Sequence, residues 1–433
     1  MEIKTIHLDN LTDAERRATV QRSAVPDAEL RSAASDIVTS VRVGGDAALI
    51  EANRSYGGGA VDTLRVEPSR LAEALNTLHP TARTALKRAA RNIRRAHTPQ
   101  RPEDQSLETV PGVRLDRRWT PLRRIGVYVP GGRAAYPSSL LMGVIPAQVA
   151  GVDEIVVASP ADDEGLVSQA MLAAAALLGV DEVYVTGGAQ AIAALAYGTE
   201  TIRPVEKIVG PGNAWVTAAK LAVFGDVGVD LPAGPSEALV IADSSADPRI
   251  IAADMMCQAE HGAESPVALV TTDASLATSV ANEIDRLLPR LERSETIRSA
   301  LAEHGLVVIA ESLDAAIEFA NEYAPEHLTV HTTNAERDSL RTTAAGSVFV
   351  GHWAPESAGD YATGANHVLP TGGLAAAYGP LSVEDCGSWR QVQTLTEEGL
   401  STLRPTIAAL AEAEGLGAHK LAAEIRFEPG DDT

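Results

Sequence analysis

Glu182-Val-Tyr-Val-Thr-Gly187-Gly-Ala-Gln-Ala-Ile-Ala-Ala194 runs a short apolar strand into a glycine turn that opens an alanine-rich helix. Lys207-Ile-Val-Gly210-Pro-Gly-Asn-Ala-Trp215 repeats the design further on. Strands alternating with helices in this way argue for a parallel sheet wrapped by helices. Upstream, Leu140 to Ala150 reads as a helix, Glu154 to Ala158 as a strand and Ser168 to Leu178 as a helix. Downstream, Gly234-Pro-Ser-Glu237 opens a second series. It contains strands at Leu239–Ile241, Val267–Val270 and Gly305–Ile309. Its helices are predicted at Asp247–Gly262, Leu276–Leu288 (stopped by Pro289) and Leu313–Tyr323. The pattern predicts two α/β units, with helical segments at both ends of the chain.

The remaining stretches are less regular. Thr12 to Arg54 reads as polar helices, and Leu71 to Ala96 as one amphipathic helix with arginines toward its C-terminal end, where cations suit the dipole. Gly112 to Val129 is strand-like and ends in the turn Tyr128-Val-Pro-Gly-Gly132. A glycine-rich loop spans 359–373, and 390–425 reads as helices. The expected division is a helical arm at 1–25, one α/β unit at 26–128 with 237–380, a second at 129–236, and a helical tail at 381–433. No short repeat of the solenoid kind is present.

The formal net charge of −22 disfavours nucleic acid or an anionic membrane as partner. Lysine occurs only five times, leaving 31 arginines among the 36 basic residues. Carboxylate excess with lysine depletion suggests a surface kept soluble in very high salt, as in a halophile's cytoplasm. Cys257 and Cys386 are the only cysteines, which argues against a disulfide framework and fits a reducing compartment. The N-terminal residues lack the apolar core of a signal peptide. The longest apolar run, Ala170 to Val180, is too short to span a bilayer. The expectation is a cytoplasmic protein.

Chemistry concentrates at Asn321-Glu-Tyr-Ala-Pro-Glu-His-Leu-Thr-Val330, where Glu326 and His327 stand side by side after Pro325. Neighbours reach one ligand most easily at an irregular spot, so a turn or first helical turn is expected here. Glu and His are natural proton-transfer partners near neutral pH. Gln258 and His261, three apart on a predicted helix, share a face that could address one metal. Asp360 and His419 are the remaining donor candidates, although no local spacing joins the four. His367 competes as a ligand but suits a loop-ordering hydrogen bond. His304, His331 and His352 read as structural. Trp215, Trp353 and Trp389 read as packing residues. Cys257 could supply a thiolate nucleophile, but a buried helix cysteine is commoner and it receives no role. Gly210 and Gly212 match only part of a dinucleotide loop, since Trp215 replaces the third glycine. Two such turns favour a ligand crevice at strand C-termini.

Taken in order, the Tyr128 and Gly187 turns, Gly210-Pro-Gly-Asn, Gly234-Pro-Ser-Glu, Gln258-Ala-Glu-His, Glu322-Tyr-Ala-Pro-Glu-His, Gly359-Asp-Tyr and Glu414 through His419 resemble the histidinol dehydrogenase family. The match runs from about residue 25 to 425. The resemblance implies two Rossmann-like, aldehyde-dehydrogenase-like parallel-sheet units and oxidation of L-histidinol to L-histidine through an aldehyde with two NAD. It further implies one zinc ion held by Gln258, His261, Asp360 and His419, and substrate bound by Ser236, His327 and Glu414 with those ligands. Tyr128, Gln190 and Asn213 match the family's NAD-contact positions. His327 would serve as general base and Glu326 would activate water for the second oxidation. The family is a homodimer in which Glu414 and His419 complete the neighbour's site. A dehydrogenase of another polar amino alcohol and a zinc hydrolase are the alternative readings.

Overall fold

The structure, a computed structural model, describes residues 3–59, 62–131, 135–162 and 165–428. Gly132 of the predicted turn, the first two residues and the last five lie outside them. Two parallel sheets organise one compact unit, Met1–Gln100 with Leu122–Cys386. In the five-stranded sheet the order is Glu182–Val185, Glu154–Ser159, Arg124–Tyr128, Lys207–Val209, Gly228–Val229. Counted along the chain this is third, second, first, fourth, fifth. The chain therefore reverses direction across the sheet between Arg124–Tyr128 and Lys207–Val209, which opens a crevice at their carboxyl ends. All five residues of Arg124–Tyr128 are buried, as expected of a strand covered on both faces.

The six-stranded sheet runs Lys4–His7, Gly305–Ile309, Val267–Thr271, Ala238–Ala242, His327–His331, Ser347–Val350, again all parallel. Apart from the added first strand, its order repeats that of the other sheet. Its switch point falls between Ala238–Ala242 and His327–His331. The two α/β units read from the sequence are therefore present.

Their expected boundaries need correction. The arm at 1–25 is not purely helical, since Lys4–His7 pairs with Gly305–Ile309 at the sheet edge. The long helix Ala28–Tyr56 packs on the five-stranded sheet, its Ala34, Val41 and Leu49 sharing a core with Tyr128, Val156 and Ile192. Residues 26–128 thus belong largely with 129–236. The expected helix over 71–96 is two helices, Pro68–Thr77 and Pro80–His97, because each proline is tolerated only in a first turn.

A second unit comprises Arg101–Pro121 and Gly387–Thr433. Its strands Gln105–Val110, Val113–Pro121 and Gly387–Leu395 form an antiparallel sheet. Residues 390–395 are therefore strand, and α-helices follow at Glu397–Ala413 and Gly417–Glu424. Trp389 packs as expected, opposite Trp119 and under the Arg117 guanidinium at 3.8 Å. Trp215 and Trp353 do not, being 38% and 89% exposed. No described helix is long and apolar enough to cross a membrane.

Candidate active site

The helix Leu313–Tyr323 ends on Ala324 in the left-handed conformation (φ 48°), and this residue turns the chain into Pro325 and Glu326. His327 begins the strand, so the pair occupies a turn and a strand start rather than a first helical turn. The strand entry is held tightly. The Glu237 amide donates to Glu326 Oε2 at 2.9 Å, and the Glu237 carbonyl accepts from the His327 amide at 3.3 Å. Gly346 backs the turn, because a Cβ there would lie 2.6 Å from the Glu326 carbonyl oxygen.

Glu326 and His327 are 4% and 3% exposed. His327 Nδ1 stands 3.9 Å from Glu326 Oε2, and Nε2 stands 3.9 Å from Asp360 Oδ1. Burial lowers the His327 imidazole to about 3, helped by the nearby His261 and His367 rings. Burial lifts the Glu326 carboxyl well above the usual carboxylate range, and the charges of Glu237 and Asp360 add to the shift. The Glu237 amide and a hydrogen bond from Ser236 oppose it. Asp360 is raised by burial, against the pull of His367 and His261. The couple is thus a neutral imidazole beside a carboxyl whose proton affinity burial has raised, and perturbed groups of this kind cluster at functional sites.

Asp360 lies in the short helix Glu356–Tyr361. His367 closes the following loop: Nδ1 contacts the Asp360 carbonyl oxygen at 3.0 Å, and Nε2 contacts Ser139 Oγ at 3.2 Å. That is the loop-ordering role expected of it. Gln258 occupies the last turn of Pro248–Ala259, whereas His261 lies just past the helix end with its amide on the Gln258 carbonyl. The Gln258 side chain is fully buried, yet neither its Oε1 nor its Nε2 has a partner among the described residues. A buried amide without partners is costly unless a bound group satisfies it. Gln258, His261 and Asp360 offer one amide oxygen, one ring nitrogen and one carboxylate, a donor set compatible with a borderline cation such as zinc. Among the described residues no three His, Cys, Asp or Glu side chains make a metal site by themselves. Glu414 and His419 belong to the second unit, where both are exposed.

Sequence reasoning missed Glu237 and Glu356. Glu356 is 1% exposed, its Oε1 lacks a partner among the described residues, and burial beside Asp360 and Glu326 raises it well above its ordinary value. A lone acidic residue carries no signal of burial. His331 is buried on Asp254 at 2.9 Å, a structural role as expected. Burial and surrounding carboxylates push Cys257 to about 12, which removes it as a thiolate nucleophile.

The crevice of the five-stranded sheet gathers the other expected residues. Tyr128 ends the first strand, and the Gly188 amide donates to its hydroxyl at 3.1 Å. The Gln190 Nε2 is committed to Gly57 O and Asn53 Oδ1 at 2.8 and 3.2 Å. Asn213 caps the helix Ala214–Val223 by accepting from the Trp215 and Val216 amides. Between these, Gly210 (φ 116°) passes so close to Tyr128 that a Cβ would meet its carbonyl oxygen at 2.1 Å. The buried Lys220 donates to the Gly210 carbonyl and to Asp230, whose Oδ2 accepts the Gly210 amide at 2.6 Å. The loop at the switch point is thereby clamped from both sides.

Fold and site define an α/β enzyme with a buried acid–base couple near Asp360, His261 and His367, and a strand-end crevice in the neighbouring sheet. The histidinol dehydrogenase family profile matches residues 20–427. A histidinol dehydrogenase from Natronomonas pharaonis is 48% identical over 421 residues, covering 97% of this chain and 98% of that protein. One from Haloarcula marismortui is 46% identical over 429 residues, covering 99% and 100%. The crystal structure of histidinol dehydrogenase from Elizabethkingia anophelis superposes with a TM-score of 0.92 at 38% identity, covering 98% of each chain. The chain belongs to the histidinol dehydrogenase family and is an oxidoreductase of histidine biosynthesis.

Proposed function

We propose that the enzyme oxidises L-histidinol to L-histidine in two NAD-dependent steps through the aldehyde, with one zinc ion per subunit. We further propose a cytoplasmic homodimer from a halophile, in which Glu414 and His419 of one copy complete the site of the other. NAD supplies the hydride acceptor and zinc an orienting template for the amine and imidazole of the substrate. Gln258, His261 and Asp360 would hold the metal with His419, and the partnerless Gln258 amide supports that reading. His327, neutral because it is buried, accepts the hydroxyl proton while hydride leaves carbon. Glu326, as the carboxylate, would then take a proton from the water that adds to the aldehyde, and burial that raises its proton affinity makes that carboxylate a stronger base. Ser236 and Glu414 would bind substrate polar groups. The crevice lined by Tyr128, Gln190 and Asn213 would receive NAD, supported by its position at the topological switch point.

The observation that carries the reading is the buried Glu326–His327 couple, whose His327 Nε2 faces Asp360 at 3.9 Å. The test is NAD reduction with histidinol at high salt, with and without a chelator. Histidinol-dependent NADH formation that the chelator abolishes is expected. Turnover without NAD would favour a hydrolase, and preference for another amino alcohol would change the substrate.

A further inference from the structure

Arg22, just after the helix Asp13–Val20, reaches into the sheet entry beside the acid–base couple. Its Nε and Nη2 donate to the two Glu237 carboxylate oxygens at 2.7 and 2.9 Å. Nη1 donates to the Val20 carbonyl at 2.8 Å, and Nη2 also donates to the Tyr323 carbonyl at 2.7 Å. The guanidinium lies 3.3 Å over the Tyr323 ring. Both partners are largely buried, at 14% and 2% side-chain exposure. A buried ion pair contributes little net stability, since desolvation offsets the attraction; its forked geometry instead fixes orientation.

The groups it orients are those around Glu326. Tyr323 lies three residues before Glu326, at the end of the helix that feeds it. Glu237 lies across the sheet, and its backbone holds both members of the couple. The Glu237 carboxylate also accepts the Gly372 amide at 3.1 Å, and Thr371 Oγ1 accepts the Gly234 amide at 2.6 Å. Gly372 (φ 63°) approaches the N-terminal segment so closely that a Cβ would sit 2.6 Å from the Ala24 amide nitrogen. Arg22 therefore braces Glu326 from both sides and ties it to the glycine-rich loop that follows Asp360.

We propose that Arg22 and Glu237 form a positioning pair that aims the Glu326 carboxylate at the water used in the second oxidation. Neither side chain contacts substrate in this role, and the inference rests on Glu326 being the group that activates that water. A displacement of about 1 Å at a reacting group costs up to about a hundredfold in rate.

The test is a double-mutant cycle in the full-length, metal-loaded enzyme, with histidinol oxidation and oxidation of supplied histidinaldehyde measured separately. Arg22→Met should slow aldehyde oxidation by about tenfold more than alcohol oxidation and leave the KM for NAD unchanged. In a Glu326→Gln background the same change should cost less than about twofold further, because it acts through Glu326. Arg22→Lys keeps the charge without the fork and should give an intermediate loss. If Arg22→Met fails to fold, Glu237→Gln and Arg22→Lys carry the same comparison. Equal slowing of both half-reactions with losses that multiply in the double variant would overturn the proposal. Should Glu326→Gln alone slow both half-reactions equally, the water-activating role fails, while the cycle still reports whether Arg22 acts through Glu326.

Discussion

Lys220→Met tests the clamp on the Gly210 loop. Lys220 is one of five lysines in a chain that otherwise uses arginine, and it is 4% exposed. Its ammonium serves the Gly210 carbonyl at 2.5 Å and the Asp230 carboxylate, which in turn holds the Gly210 amide. Methionine fills the same space but leaves Asp230 buried without its cation. Breaking a buried pair from one side costs about 3–5 kcal/mol. The orphaned Gly210 carbonyl adds about 1 kcal/mol. Protonation limits the damage, because burial already raises the Asp230 carboxyl above its usual value. The sign follows from linkage: a native state that holds the proton more tightly than the unfolded chain gains stability as pH falls. The deficit of Lys220→Met should therefore be full at pH 8 and shrink as pH drops through the raised Asp230 value. Urea unfolding across that range reads it, and adding Asp230→Asn should recover most of the loss at pH 8. The loop would also be released, so the KM for NAD should rise while that for histidinol holds. A loss under about 1 kcal/mol at pH 8, or one that grows at acid pH, would refute the reasoning.

Other expectations follow from the same geometry. Gly210→Ala forces a Cβ to within 2.1 Å of the Tyr128 carbonyl oxygen at a φ of 116°, so weakened NADH binding by fluorescence titration is expected with stability loss of about 1–3 kcal/mol. Glu326→Gln should spare alcohol oxidation and slow aldehyde oxidation by about a hundredfold or more, and equal loss in both would remove Glu326 from that role. His419→Asn should lower bound zinc and activity together, as read by metal analysis; unchanged zinc content would remove it as a ligand. The Arg124 guanidinium holds the Glu182 carboxyl at about 2, below its usual 4.5. That stability is present above pH 4.5 and lost as pH falls toward 2. Solvent screening holds it to about 1 kcal/mol, so Arg124→Met should flatten the acid limb of a stability curve by that amount.

Much of the molecule was legible because parallel strands covered on both faces read as short apolar runs bounded by Gly, Pro, Asp or Ser turn residues. Glu182–Val185, Ala238–Ala242 and Val267–Thr271 all stand out this way. The edge strand Lys4–His7 did not, since four residues, none of them fully buried, carry almost no pattern. The helix Ala28–Tyr56 shows why its sheet was misassigned: periodicity says which face is apolar, not which sheet covers it. At the site, Glu326 and His327 were visible as neighbours after a proline. The residues that set them, Arg22 and Glu237, lie 215 positions apart, and no local spacing links them. The amide NH2 of Gln190 is held by Asn53 and Gly57, 133 or more positions away, another tie that no local spacing announces.

The NADH yield per histidinol consumed is the most direct measurement. Buried Glu326 and His327 acting in turn within one site predict two NADH for each histidinol, with histidine as the product and no free aldehyde accumulating. One NADH with released aldehyde, or histidinol turnover with none, would contradict the proposed two-step oxidation.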